Sequence, residues 1–124
     1  MEATVNKQAA IDGYAAFSAS DPDAAMKDIS DSIEWVVSGD NSLTGSYQGK
    51  NEVGGLWMKV VEKGFRVSPK EFIAEGDKVV VLATDSVGGE EVRTVDVLTY
   101  DDSGQLARFE TFGGEQLLDS VFPQ

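Results

Sequence analysis

The chain has 124 residues, with 10 basic and 22 acidic side chains for a net charge of -12 at pH 7; this length suits one compact domain over residues 1–124. Such an acidic surface (pI near 4.2) repels phosphate backbones and anionic lipid, so neither nucleic acid nor a membrane is an expected partner. The sequence contains no cysteine and no histidine, which excludes disulfides, thiolate metal sites and a cysteine nucleophile and leaves acid–base chemistry to Asp, Glu, Tyr or Lys.

No metal or other cofactor is expected on that composition. The first residues, "MEATVNKQAAID", carry neither a basic stretch nor an apolar one, and no apolar run reaches the length of a membrane span, so a soluble cytoplasmic protein is the expectation. In "TVNKQAAIDGYAAFSAS", Ala10, Tyr14 and Phe17 recur at i, i+4 and i+7, the pattern of an amphipathic helix, with Thr4 as its cap. "SDPDAAMKDIS" offers Asp21 as N-cap and Pro22 at the first helical position of a short second helix. "SIEWVVS" reads as a strand with Ile33, Trp35 and Val37 on one face. "GDNSLTGSYQG" reads as a loop, and "KNEVGGLWMKVVEKG" as a third helix closed by Gly64 and weakened by Gly54 and Gly55.

After Gly64 the period becomes that of strands. "FRVSPKEFIAEG", "KVVVLATDSV", "EVRTVDVLTY" and "LARFETF" are separated by turn signals at "EGDK", "GG" and "DDSG", an antiparallel meander followed by a last helix in "EQLLDSVF". Helices gathered on one face of a curved sheet make the fold class α+β. The middle strands are apolar on both faces: Val79, Val81 and Ala83 on one, Val80 and Leu82 on the other, with Val95 and Val97 backing away from Asp96. A sheet with one wet face should alternate, so a homodimer is the expected cover for the second face. The other reading is that β-branched residues simply suit strands.

Four stretches in this order, "YAAFSASD", "SIEWVVSG", "GSYQGKNEV" and "VDVLTYDDSGQLARFETFGGE", resemble the NTF2-like superfamily, and within it SnoaL-like and ketosteroid isomerase-like proteins, over nearly the whole chain. The resemblance implies a cone: a strongly curved antiparallel sheet wrapped around about three helices, with an interior pocket for a small apolar ligand. Asp96 matches the aspartic acid that forms half of the isomerases' oxyanion hole. Their tyrosine on the first helix falls at Gly13, one step from Tyr14, whereas SnoaL-like relatives look to carry the aromatic where Tyr14 stands. A supporting tyrosine on the third helix corresponds to Trp57, which donates only through its indole N–H. The isomerases' base corresponds to Val37, and the cyclases' acid after the closing strand to Gly113 and Gly114, so both base positions are empty.

A short turn at Gly88 and Gly89 sets Val81 opposite Asp96, and a four-residue turn over 101–104 sets Phe109 opposite it on the other side. Val81, Asp96 and Phe109 then share a face, with Thr94 and Thr111 one step towards the rim. An acid in that setting is poorly hydrated, which raises its pKa and leaves it a proton to donate to a carbonyl or enolate oxygen; an acid kept neutral for this purpose is the arrangement known from ketosteroid isomerase. The competing reading makes Asp96 a structural acceptor for Thr94, Thr111 or a backbone N–H. Asp85 points to the same face but lies nearer the hairpin tip, where solvation is expected. Glu110 falls on the outer face, within reach of Arg93 or Arg108. Trp35 and Trp57 serve as core or as ligand walls. The expected function is binding of a small apolar carbonyl compound, as an isomerase, cyclase or dehydratase lacking the usual base, with Asp96 and Tyr14 as catalytic pair and Trp35, Val37, Trp57, Val81, Phe109 and Thr111 as pocket residues. The alternative is a non-catalytic ligand-binding or dimeric scaffold protein.

Overall fold

The computed structural model describes residues 2–124. In them the chain forms α1 (Ala3–Ser18), α2 (Pro22–Met26), β1 (Ile29–Val37), β2 (Gly45–Gln48), α3 (Gly49–Glu62), β3 (Arg66–Glu75), β4 (Lys78–Val87), β5 (Glu90–Tyr100), β6 (Leu106–Phe112) and α4 (Glu115–Val121). All six strands join one curved sheet in the order β2-β1-β6-β5-β4-β3. The sheet is mixed: β1 and β6 run parallel, and every other pair is antiparallel. The parallel pair arises because β6, the last strand of the meander, docks on the first strand of the chain. The segment read as a loop before the third helix contains β2, whose Tyr47 pairs with Trp35 and donates its hydroxyl to the Leu43 carbonyl at 2.7 Å.

Local chemistry explains most element ends. Thr4 does not cap α1; the helix starts before it, with Glu2 at the cap position and no side-chain bond there. Asp21 does cap α2, accepting from the Ala24 N–H at 3.2 Å, with Pro22 in the first turn. Val53, Leu56 and Val60 give α3 its buried stripe, and Gly64 follows it at φ +81°, the left-handed conformation that ends helices. Concave-face residues Val79 and Val81 are fully buried with Ile33 and Val53, so the core lies between the sheet and α1 and α3.

The β4–β5 turn brings Val81 opposite Asp96, the register expected from two glycines, both at positive φ. The β5–β6 connection differs from expectation. Asp101 accepts from the N–H groups of Ser103 and Gln105, and the pairing resumes at Tyr100 with Leu106 across a bulge. The longer loop and the bulge slide the register by two residues, so Thr111, not Phe109, stands opposite Asp96, and Phe109 pairs with Leu98. A slip of two preserves the face, which is why Phe109 still points inward.

Gly113 closes β6 at φ +93°, and a Cβ there would lie 2.9 Å from the Arg93 carbonyl oxygen. Only glycine turns the chain there from β6 into α4. Gly113→Ala should lower stability by about 2 kcal/mol, read as a drop in urea midpoint. Gly76→Ala, at φ +60° with open space around it, should cost about 1 kcal/mol. Equal costs would show that the approach to Arg93 places no constraint.

Candidate functional site

A cavity of about 160 Å³ opens between the concave face of the sheet and helices α1, α3 and α4. Its walls are mainly aromatic and aliphatic. Trp35 stacks on Phe109 with ring centroids 3.8 Å apart and planes at 13°. Trp57 meets Trp35 edge-on at 5.5 Å and Phe17 at 5.3 Å. Val37 contributes to the same lining and packs with Leu43, Leu56 and Val60. Val81, on the same rung as Asp96, does not line the cavity and is fully buried in the core.

The polar end is built from three elements. Asp96 of β5 is 2 % exposed. The Tyr14 hydroxyl of α1 donates to its Oδ2, and Thr111 of β6 donates to its Oδ1 at 2.9 Å. Burial pushes the Asp96 pKa above the ordinary carboxylate value, and the bonds from Tyr14 and Thr111 pull against that shift. The Tyr14 phenol is raised well above its usual value, first by burial and then by the charge of Asp96. Tyr14, one position after the glycine, therefore faces the acid. Ala10 lies one turn before it on the same buried stripe, and Phe72 packs edge-on against its ring at 5.6 Å.

Asp85 corrects an expectation. It is 7 % exposed rather than solvated at the hairpin end. It lines the cavity with Gly114 and Glu115. The reason is α4, which packs over this end of β4 and β5: a Cβ on Gly114 would sit 3.8 Å from Asp85 Oδ2 and 3.5 Å from Thr94 Cγ2. The inward parity of Asp85 was readable from Val81 and Ala83, but the cover over it was not. Burial, and then the charge of Asp96, push its pKa up to about 7. The nearby Thr94 hydroxyl opposes the shift without reaching hydrogen-bond geometry. Asp85 Oδ1, Thr94 Oγ1 and the Trp57 indole N–H are accordingly all buried without partners. Glu110, by contrast, lies on the outer face and bonds Arg108 at 2.8 Å, while Arg108 also holds Glu34 at 3.0 Å.

Chemically, this is an apolar slot with aromatic walls, a hydroxyl–carboxyl pair at one point and a second carboxyl with a free oxygen at another. Among the described residues no cluster of His, Cys, Asp and Glu could hold a metal ion, and no helix is long and apolar enough to cross a membrane. Moving a carboxyl from 3.8 to about 7 corresponds to roughly 4 kcal/mol of preference for the neutral form in the fold. The raised value means the unfolded chain loses its proton first. Stability from this group is therefore full below about pH 4, falls as pH rises to about 7, and stays reduced above that. Asp85→Asn should remove this decline, leaving the variant more stable than the parent at pH 8 by on the order of 2 kcal/mol or more and nearly equal to it at pH 4. Urea unfolding at both pH values measures the difference. A variant weaker at pH 8 would mean that Asp85 is a satisfied, ionised acceptor.

Comparison with known proteins places this geometry in a family. The SnoaL-like domain profile matches residues 10–109. Bal32a, from a soil-derived mobile gene cassette, superposes with a TM-score of 0.87 at 18% identity over 100% of both chains. TerC, crystallised with polyporic acid, gives 0.82 at 26% identity over 95% of this chain and 97% of its own. A protein from Kribbella flavida designated a candidate ketosteroid isomerase gives 0.79 at 12% identity over 91% and 80%. Among curated proteins no sequence match is found. The NTF2-like cone is thus the fold, and the chain belongs to the SnoaL-like domain family.

Proposed function

We propose that the cone binds a small, mostly apolar carbonyl compound whose oxygen lies against Tyr14 and Asp96, and that the site serves an isomerase-, cyclase- or dehydratase-type proton transfer. The observation that carries this reading is the Tyr14–Asp96 contact buried at the edge of an aromatic-walled cavity. An ionised Asp96 only accepts, and both its oxygens are already occupied by Tyr14 and Thr111. Burial favours the protonated form, which has a hydrogen to give. An entering carbonyl then receives a bond from the Tyr14 hydroxyl with the Asp96 carboxyl donating beside it. Donors fixed in a dry site at a developing negative charge are each worth roughly a hundredfold or more in rate. TerC, crystallised with polyporic acid, supports a small organic ligand in a cone of this kind.

A second reading, ligand binding without catalysis, is favoured by Val37, Gly113 and Gly114, none of which can move a proton. It predicts the same cavity and the same ligand class. For assembly, we infer a homodimer through the convex face of the sheet. Leu82, Val95 and Phe112 line up across three strands and Ile73, Val80 and Val97 line up beside them; Phe112 is 45 % exposed. An apolar row of that kind on an acidic protein fits a second copy of itself.

Two measurements test these readings. 2-Naphthol, an apolar bicycle with one acidic hydroxyl, should quench Trp35 and Trp57 fluorescence on binding. It should bind about tenfold more tightly than naphthalene, with that advantage lost in Tyr14→Phe and Asp96→Asn. Equal affinity for the two probes in the parent protein removes the role of the polar end. For the dimer, the parent should sediment as a dimer at micromolar concentration and Val95→Arg as a monomer. A monomeric parent ends that inference.

A further inference from the structure

The site has a place for negative charge on oxygen, and its two family positions for a base are filled by Val37 and by glycine. We infer that Asp85 is the proton acceptor of this site, reaching it from β4. The inference rests on the carbonyl-ligand reading and adds the residue that reading lacks.

Four observations on geometry support it. Asp85 shares the inward face of β4 with Val81 and Ala83, and Val81 is the residue opposite Asp96. The rung between the two acids is Ala83 and Thr94; the small Ala83 leaves the concave surface low there. The carboxyls are thus set apart along the strand, Asp96 with its bonds to Tyr14 and Thr111, Asp85 towards the α4 end. Both acids line the one cavity, so one small molecule can touch both. Second, Asp85 Oδ1 is buried without a hydrogen-bond partner. A structural acid normally has its oxygens satisfied within the fold, and an idle one facing a cavity has a lone pair to offer. Third, Gly114 leaves room in front of Oδ2, where even a methyl group would come within 3.8 Å. Fourth, the walls between are apolar, so an ionised Asp85 there is a poorly solvated, strong base. The groups that face it are Asp96 from β5 and Tyr14 from α1, with Thr94 beside it; Glu115 at the start of α4 lines the same cavity and accepts from the Gly113 N–H.

The step balances without any other reagent. Asp85 takes a proton from a carbon α or vinylogous to the ligand carbonyl. The C–H pair moves into the carbon–carbon bond of the enolate, and the charge on oxygen is held by Tyr14 and Asp96. The Asp85 carboxyl then returns the proton to the same or another carbon. A carboxyl pushed up to about 7 by burial suits such a base near neutral pH.

2-Tetralone, a bicyclic ketone with acidic protons at C1, is the probe. In heavy water the parent protein should accelerate exchange of those protons over buffer, followed by proton NMR, with the rate rising through about pH 7 as Asp85 ionises. Asp85→Asn and Asp85→Ala should lose about a hundredfold or more of that acceleration, while Asp85→Glu recovers part of it. Both losing variants should still bind 2-tetralone within about threefold of the parent by tryptophan fluorescence, as expected when only the base is gone. Exchange that survives in Asp85→Asn, or a parent that binds 2-tetralone without exchanging it, overturns the role of Asp85 and leaves ligand binding intact. If neither 2-naphthol nor 2-tetralone binds, the carbonyl-ligand reading falls and this inference falls with it.

Discussion

The bond from the Tyr14 hydroxyl to Asp96 joins residues 82 positions apart in sequence, and through it the first helix is fixed over the centre of the sheet. Two polar groups could meet there only after the cone has closed, because each is buried by the other's element. Taking a carboxyl and a phenol out of water costs several kcal/mol unless bonds replace the lost hydration. Tyr14 and Thr111 supply such bonds to Asp96, yet burial still dominates its raised pKa. A valine at 96 facing a phenylalanine at 14 would make a more stable core of similar volume. A polar pair kept at the edge of a cavity at that cost fits the ligand-binding role proposed for it.

The second acid sharpens the point. Asp85 and Asp96 line one largely apolar enclosure, and the charge of Asp96 adds to the burial that raises the Asp85 pKa. Ionising one makes ionising the other harder. One of the two is bonded, Asp96 to Tyr14 and Thr111, and the other, Asp85, has an oxygen without a partner. The bonded acid sits beside a phenol, suited to holding charge on a ligand oxygen; the unbonded one has free oxygens, suited to moving a proton. Two carboxyls with different surroundings acquire different chemistry from the same side chain. The acidic surface of the protein adds to this background, because a net charge of -12 disfavours each further ionisation.

Much of this was legible in the sequence wherever short-range rules decide the outcome. Two glycines at 88 and 89 set a tight turn, and the tight turn set Val81 against Asp96. Parity along β4 and β5 then fixed which side chains face inward, and the two-residue slip at the β5–β6 loop could not disturb it. What escaped the sequence depended on contacts between distant segments. The side chain of Asp101 gathers its own loop into five residues, which no hydrophobic pattern announces. Gly45 to Gln48 has little strand character alone and becomes β2 only against β1. Asp85 looked solvated because a hairpin end usually is; it is buried because α4 returns from the far end of the chain to lie over it.

That return is slight, which links the roof to the acid beneath it. α4 has seven residues and buries only Leu117 fully. It is tied down by Asp119, whose Oδ1 accepts from the Asp40 N–H at 2.9 Å and the Asn41 side chain at 2.8 Å. Beyond the helix, the Phe122 carbonyl takes the Ser42 N–H at 2.8 Å. The Gly113 turn, where a Cβ would lie 2.9 Å from the Arg93 carbonyl oxygen, aims the helix. Covering Asp85 is what raises its pKa, and by linkage the same free energy must weaken the cover once Asp85 is ionised. The roof and the proton are thus one equilibrium: a closed α4 favours the neutral acid, and an ionised acid favours a hydrated, loosened roof. Protonation of Asp85 and the seating of α4 are therefore coupled by the fold itself.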